Sequence, residues 1–130
     1  MALDFELMSR GLPGPLAGSI GGSVSGVPTG LTLTGSTSQA NGLQLVADYN
    51  VIATSGASTN SCVLPTAGGA SELCVCVASG QTTVNIYPAT GEKILDAGTL
   101  GAANAAVTLA ASKNAYFQPA GTFWIMIRSA

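Results

Sequence analysis

The chain has 130 residues, of which only 8% are charged, with a formal net charge of −2. That length suits one domain with at most a short arm, and the charge fraction is far below the roughly 25% usual in soluble domains. The four cations, Arg10, Lys93, Lys113 and Arg128, are scattered. They form no patch able to neutralise phosphates, which excludes a nucleic-acid partner at this level of reading. Histidine is absent altogether. The commonest general base, the commonest metal ligand and every Ser-His or Cys-His nucleophile are therefore missing, and the chain reads as a non-enzyme without cofactor or metal.

In chain order, Met1–Arg10 carries Asp4 and Glu6 where a secretory leader needs positive charge, so the expected place of synthesis is a reducing cytoplasm. No run approaches 18 apolar residues, and no membrane partner is expected. Leu3-Asp4-Phe5-Glu6-Leu7 alternates apolar and acidic residues as a strand with one wet face does. Leu3, Leu7 and Met8 would equally share one face of a helical turn. Gly11–Gly30 then holds seven glycines (11, 14, 18, 21, 22, 26, 30) and three prolines (13, 15, 28). Glycine enlarges the unfolded ensemble and proline removes a backbone donor, so neither a helix nor a central strand is expected there. Residues 1–30 thus read as an extended Gly/Pro-rich N-terminal arm. It is either a plain linker or a segment that orders along a partner, with Leu3, Phe5, Leu7 and Met8 as the docking side chains.

From Leu31 to Ala130 the pattern is strand after strand. Leu31–Thr34 alternates with Thr. Leu43–Ala53 reads as one long strand, with Leu43, Leu45, Ala47, Tyr49 and Val51 on one face and a bend near Asp48–Asn50. Ser61–Leu64, Glu72–Ala78, Thr82–Tyr87, Ala105–Ala110, Asn114–Gln118 and Thr122–Arg128 follow. Gly68-Gly69, Ser79-Gly80, Thr90-Gly91, Ser112-Lys113-Asn114 and Ala120-Gly121 supply turns between them. The Ala-rich stretch Gly101–Ala111 is expected to be a loop entering a strand rather than a helix. Short strands at close spacing predict an all-β domain, a small antiparallel β-sandwich or barrel, jelly-roll-like, over residues 31–130.

Candidate chemistry is sparse. Cys74 and Cys76 flank Val75 and share one strand face; with Cys62 they make three cysteines, one short of a usual zinc set, and are read as small apolar residues. Glu92 and Asp96 are the closest carboxylate pair, yet with Lys93 between them after Thr90-Gly91 they read as a solvated loop. The adjacent pairs Tyr116-Phe117 and Phe123-Trp124 must point to opposite sheet faces, so one member of each fits the core and the other meets solvent, ligand or another subunit. Tyr87, Tyr116, Phe117, Phe123 and Trp124 are the candidates for a subunit interface.

The stretch Asn60–Arg128 resembles a β domain of tailed-bacteriophage virion proteins. The likeness lies in Val63-Leu64-Pro65, Ala67-Gly68-Gly69-Ala70, the apolar Leu73–Val77 and the segment Val84-Asn85-Ile86-Tyr87-Pro88-Ala89-Thr90-Gly91 followed by Ile94. It continues in Val107-Thr108-Leu109, Tyr116-Phe117 and Gly121-Thr122-Phe123-Trp124. Such domains occur in capsid decoration (cement) proteins and in trimeric fibre or spike proteins. The resemblance implies a homotrimeric structural protein on the capsid surface of a virion, with the major capsid protein and itself as partners. The other implied role is a receptor- or glycan-binding module of a fibre. It brings no catalytic residues.

Overall fold

The computed structural model describes residues 30–34 and 37–129; the expected arm and the docking candidates Leu3, Phe5, Leu7 and Met8 lie outside the described residues. Within them the chain is all-β, without a helix. The strands are β1 (Leu31–Thr32), β2 (Leu43–Gln44), β3 (Tyr49–Thr54), β4 (Ser61–Val63), β5 (Leu73–Val77), β6 (Val84–Tyr87), β7 (Lys93–Asp96), β8 (Thr99–Leu100), β9 (Val107–Leu109), β10 (Asn114–Ala120) and β11 (Phe123–Arg128). They form a large sheet of seven strands, in the order β1-β3-β5-β10-β11-β7-β8, and a small sheet of four, in the order β2-β4-β6-β9.

The pairing corrects the antiparallel expectation. Five neighbouring pairs are parallel and four antiparallel. From β1 to β6 the chain alternates between the sheets, each strand parallel to the one two places earlier. Parallel neighbours need a crossover, and here a strand of the opposite sheet supplies it, as in β-helical windings. The glycine-bearing turns read as hairpins at Gly68-Gly69 and Ser79-Gly80 instead carry the chain from sheet to sheet. True hairpins come late. The link Ala97–Gly98 between β7 and β8 holds both residues at positive φ, 51° and 81°, as a I′-type turn requires, and Gly121 at 78° opens the link from β10 to β11.

Two further expectations change. Leu43–Ala53 is not one strand: β2 lies in the small sheet and β3 in the large one, so Leu45 is buried while Tyr49 is exposed. At the entry to β3 the buried Asn50 amide donates to the Ala47 and Cys74 carbonyls, at 2.8 and 3.1 Å. It gives partners to two carbonyl groups at the point where the chain changes sheets, which a run of apolar residues could not do. The trio Glu92, Lys93 and Asp96 is not a solvated loop either. Lys93 opens β7, which is paired on both sides. The Glu92 carboxylate accepts the Ala67 backbone N–H with both oxygens, at 3.0 and 3.2 Å. Asp96 accepts from Arg128 Nη2 at 2.5 Å and Nε at 3.2 Å. The two carboxylates face separate tasks and make no acid–base pair.

Both sheets bury one face in a single core. Ile52, Leu73, Val75, Val77, Ile94, Ala115, Phe117, Trp124 and Met126 come from the large sheet, and Cys62, Val84, Ile86 and Leu109 from the small one. Phe117 and Trp124 are fully buried, and the Trp124 indole N–H donates to the Pro65 carbonyl at 3.0 Å, which gives its polar edge a partner. The expectation that these two residues serve a subunit interface is thereby corrected: the core occupies them, and Tyr116 and Phe123 take the outward side of the same strands. The end of β6 and the turn Pro88–Gly91 that follows it are tightly tied. Leu64 N–H bonds the Tyr87 carbonyl at 2.8 Å, Gln39 Nε2 bonds the Pro88 carbonyl at 2.7 Å, and Gly91 N–H bonds Asn104 Oδ1 at 2.6 Å.

Candidate functional site

The inner faces being spent on the core, whatever the domain offers a partner lies on the outer faces. Strand alternation fixes which residues those are. On the large sheet the cross-strand register aligns Val51, Cys76 and Asn114 in one row, and Tyr49, Cys74, Tyr116 and Ile127 in the next. Gln118, Ile125, Leu95 and Leu100 form a third, and Ala120, Phe123 and Lys93 a fourth. Most of these side chains are apolar. Ile127 is 58% exposed, Tyr49 and Leu100 47%, and Val51 36%. Solvated sheet faces normally carry polar residues at such positions.

Three shallow depressions run together across this face. A polar one of about 470 Å³ lies against Glu72 and Gln118. It shares Glu72 with one of about 180 Å³ between Asp48, Tyr49 and Tyr116. That in turn shares Tyr49, Cys74 and Tyr116 with an apolar one of about 480 Å³ reaching Ile127. The Tyr116 hydroxyl donates to the Glu72 carboxylate. That bond, reinforced by partial burial and the carboxylate's charge, pushes the phenol up to about 12. Cys74 is raised as well, first by burial, then by Cys76 and Glu72. A raised thiol holds its proton and is a poor nucleophile and a poor metal ligand near neutrality. Chemically, the arrangement offers an apolar floor with a hydrogen-bonding edge.

The other candidates are dispersed. Cys62 lies buried in the small sheet, where desolvation lifts its thiol to about 12, and all three cysteines are free. Among the described residues no group of three or more His, Cys, Asp and Glu could hold a metal ion, and no helix is long and apolar enough to cross a membrane. Tyr87 sits on the small sheet, its hydroxyl directed to the Thr37 carbonyl at 3.4 Å, apart from Tyr116 and Phe123. Sequence reasoning missed Tyr49, Val51, Leu95, Leu100, Ile125 and Ile127 as surface candidates. A signal existed: Phe123-Trp124-Ile125-Met126-Ile127 is a continuous apolar run, the mark of a strand with both faces covered. Comparison with family models, curated proteins and solved structures returns no match for this chain.

Proposed function

We propose that the chain is a structural virion protein that binds the outer surface of a bacteriophage capsid and stabilises it, acting as a homotrimer. The observation that carries this reading is the outward face of the large sheet, a broad and mainly apolar surface with Asp48, Glu72, Lys93 and Arg128 as charged groups around it. Such a surface belongs to an assembly, since exposed apolar patches of this extent mark protein–protein contacts. The resemblance of Asn60–Arg128 to phage β domains names the assembly. In this reading Leu3, Phe5, Leu7 and Met8 engage the major capsid protein, and the virion's capsid surface is where the protein resides after synthesis in the host cytoplasm.

The test is co-sedimentation of the full chain with undecorated capsids of the cognate phage. Saturable binding and a raised temperature of capsid opening are expected, and Phe5→Asp should weaken the binding without altering the circular dichroism of the domain. Absence of the chain from capsid pellets at saturating concentration would overturn the capsid reading.

A further inference from the structure

From the same surface we infer that the outer face of the large sheet is where copies of this chain meet, with the row Tyr49, Cys74, Tyr116 and Ile127 at the centre of the contact. The inference deepens the proposed function and rests on its self-association, not on its capsid.

Three observations select a second copy as the occupant. The first is charge. Acidic groups, Asp48 and Glu72, stand beside Tyr49 and Tyr116, and basic groups, Arg128 and Lys93, stand on β11 and β7. A strongly acidic or basic partner would therefore meet like charges on one side, whereas another copy brings the complementary pair. The acidic and basic sides complement one another. Glu72 precedes β5 and Lys93 lies on β7, on opposite sides of the β10–β11 pair. When one such face lies against another in opposite sense, the β3–β5 side of one copy meets the β7–β8 side of the next. Each Glu72 carboxylate is then directed toward a Lys93 ammonium across the contact.

The second observation is extent. Seven strands spaced about 4.8 Å apart span about 29 Å, and the longer central strands run roughly 20 Å. Two such faces together remove on the order of 1,000 Å² from water, the area at which specific interfaces begin. The third is contrast with the small sheet, whose outer side is mainly polar. Gly42 packs over Val63 there, where a Cβ would lie 2.9 Å from Val63 Cγ2, and Gln44, Asn60, Asn85 and Tyr87 all have hydrogen-bond partners. The apolar outer face is the one that gains by contact with a second copy.

The experiment is sedimentation equilibrium of the full-length chain at micromolar concentration, beside Ile127→Lys, Val51→Lys and the small-sheet control Thr108→Lys. These positions are exposed, so each variant should keep the wild-type circular dichroism. The wild type and Thr108→Lys should sediment as oligomers. Ile127→Lys, which places a desolvated ammonium at the centre of the contact, should weaken association by about 100-fold, and Val51→Lys by less. Glu72→Lys and Lys93→Glu should each weaken it several-fold alone, and the double variant should restore it, because every contact between copies then pairs opposite charges again. An oligomer that survives Ile127→Lys and Val51→Lys unchanged overturns this face as the contact while leaving self-association standing. A wild type that is monomeric throughout overturns both. Loss of capsid binding in Ile127→Lys, with sedimentation unaltered, would assign the face to the capsid instead.

Discussion

On the large sheet the outward rows are mostly apolar, with Tyr49, Val51, Cys74, Cys76, Tyr116, Leu95, Leu100, Phe123, Ile125 and Ile127 beside Asn114, Gln118 and Lys93. On the small sheet they are mostly polar, with Gln44, Ser61, Asn85, Tyr87 and Thr108 beside Val63. The inner faces of both sheets are equally apolar and share one core. Two sheets wound from one continuous coil thus meet their surroundings with opposite chemistry. On the small sheet Gln44 and Tyr87 bond nearby backbone carbonyls and Asn85 bonds the Asn60 side chain, as suits a face turned to water. The large sheet carries hydrophobic side chains on both sides, as a layer between two others does. In the proposed assembly the domain supplies two layers, and the third is another copy of the chain.

This comparison holds only if the two sheets fold as one unit. Trp124→Ala tests that most severely. It removes the largest buried side chain and leaves the Pro65 carbonyl without its indole donor. A loss of about 3–5 kcal/mol is expected, as for other large core truncations. Urea denaturation followed by circular dichroism and by tyrosine fluorescence should show one coincident transition, shifted to lower denaturant. Two separated transitions would mean that the sheets are independent and that their outer faces need no common explanation.

A smaller effect is expected at the link between the sheets. The Glu92 carboxylate holds the Ala67 N–H, on the connection leading from β4 in the small sheet to β5 in the large one. Glu92→Ala leaves that buried donor unpaired and should cost about 1–3 kcal/mol. Glu92→Gln, which keeps an acceptor oxygen, should recover much of it. Equal stabilities of the two variants in the same denaturation would show that the carboxylate's contact is incidental.

How much of this was legible in the sequence follows from what alternation can and cannot encode. The strands at Leu73–Val77, Asn114–Ala120 and Phe123–Arg128 were visible because buried and outward residues alternate without interruption. The assignment of Ala105–Ala110 to a strand held for the same reason, with β9 at Val107–Leu109. Partner choice was not visible. A turn glycine such as Gly69, at a φ of 79°, serves a crossing between sheets as well as a hairpin, so the parallel coil could not be separated from antiparallel pairs. β7 was missed because its four residues include charged Lys93 and Asp96, and the partners of Asp96 and of the preceding Glu92, Arg128 and Ala67, lie 32 and 25 positions away. The apolar outer face was half legible. The Tyr116-Phe117 and Phe123-Trp124 pairs announced a surplus of aromatic residues, but which member faced outward depended on a register that only the sheet fixes.

The cysteines sharpen the comparison chemically. Cys62 belongs to the core, while Cys74 and Cys76 stand on the large sheet's outer face. Burial holds the Cys62 proton up to about 12, against 9.0 for the unburied thiol. A folded-state pKa above the unfolded one stabilises fully below the unfolded value. The contribution is lost as pH rises from 9.0 toward about 12, at no more than roughly 1.4 kcal/mol per pH unit. Thermal melts should therefore fall in that window, and Cys62→Ala should flatten this part of the profile. At pH 8 a maleimide should modify Cys76 in the dilute native protein, Cys74 more slowly because its raised thiol holds its proton, and Cys62 only after unfolding. Modification of Cys62 in the native state would place it outside the core.

The smallest expected effect carries the comparison furthest. If the outer face of the large sheet serves association rather than folding, replacing one of its residues should barely change the stability of a single copy. Ile127, at 58% exposure, loses little buried area in Ile127→Ser, and its unfolding free energy in dilute solution should shift by about 0.5 kcal/mol or less. Thr108→Ser on the small sheet should behave alike there. The two should part as concentration rises. Association stabilises whatever form binds, so the melting temperature of wild type and Thr108→Ser should climb with protein concentration. That of Ile127→Ser should climb less, because the contact it weakens supplies the increment. Differential scanning calorimetry across a hundredfold dilution series reads both terms in one experiment. A large loss for Ile127→Ser at the lowest concentration would return this residue to the fold of the single chain. Parallel concentration dependence for both variants would remove the asymmetry between the two faces.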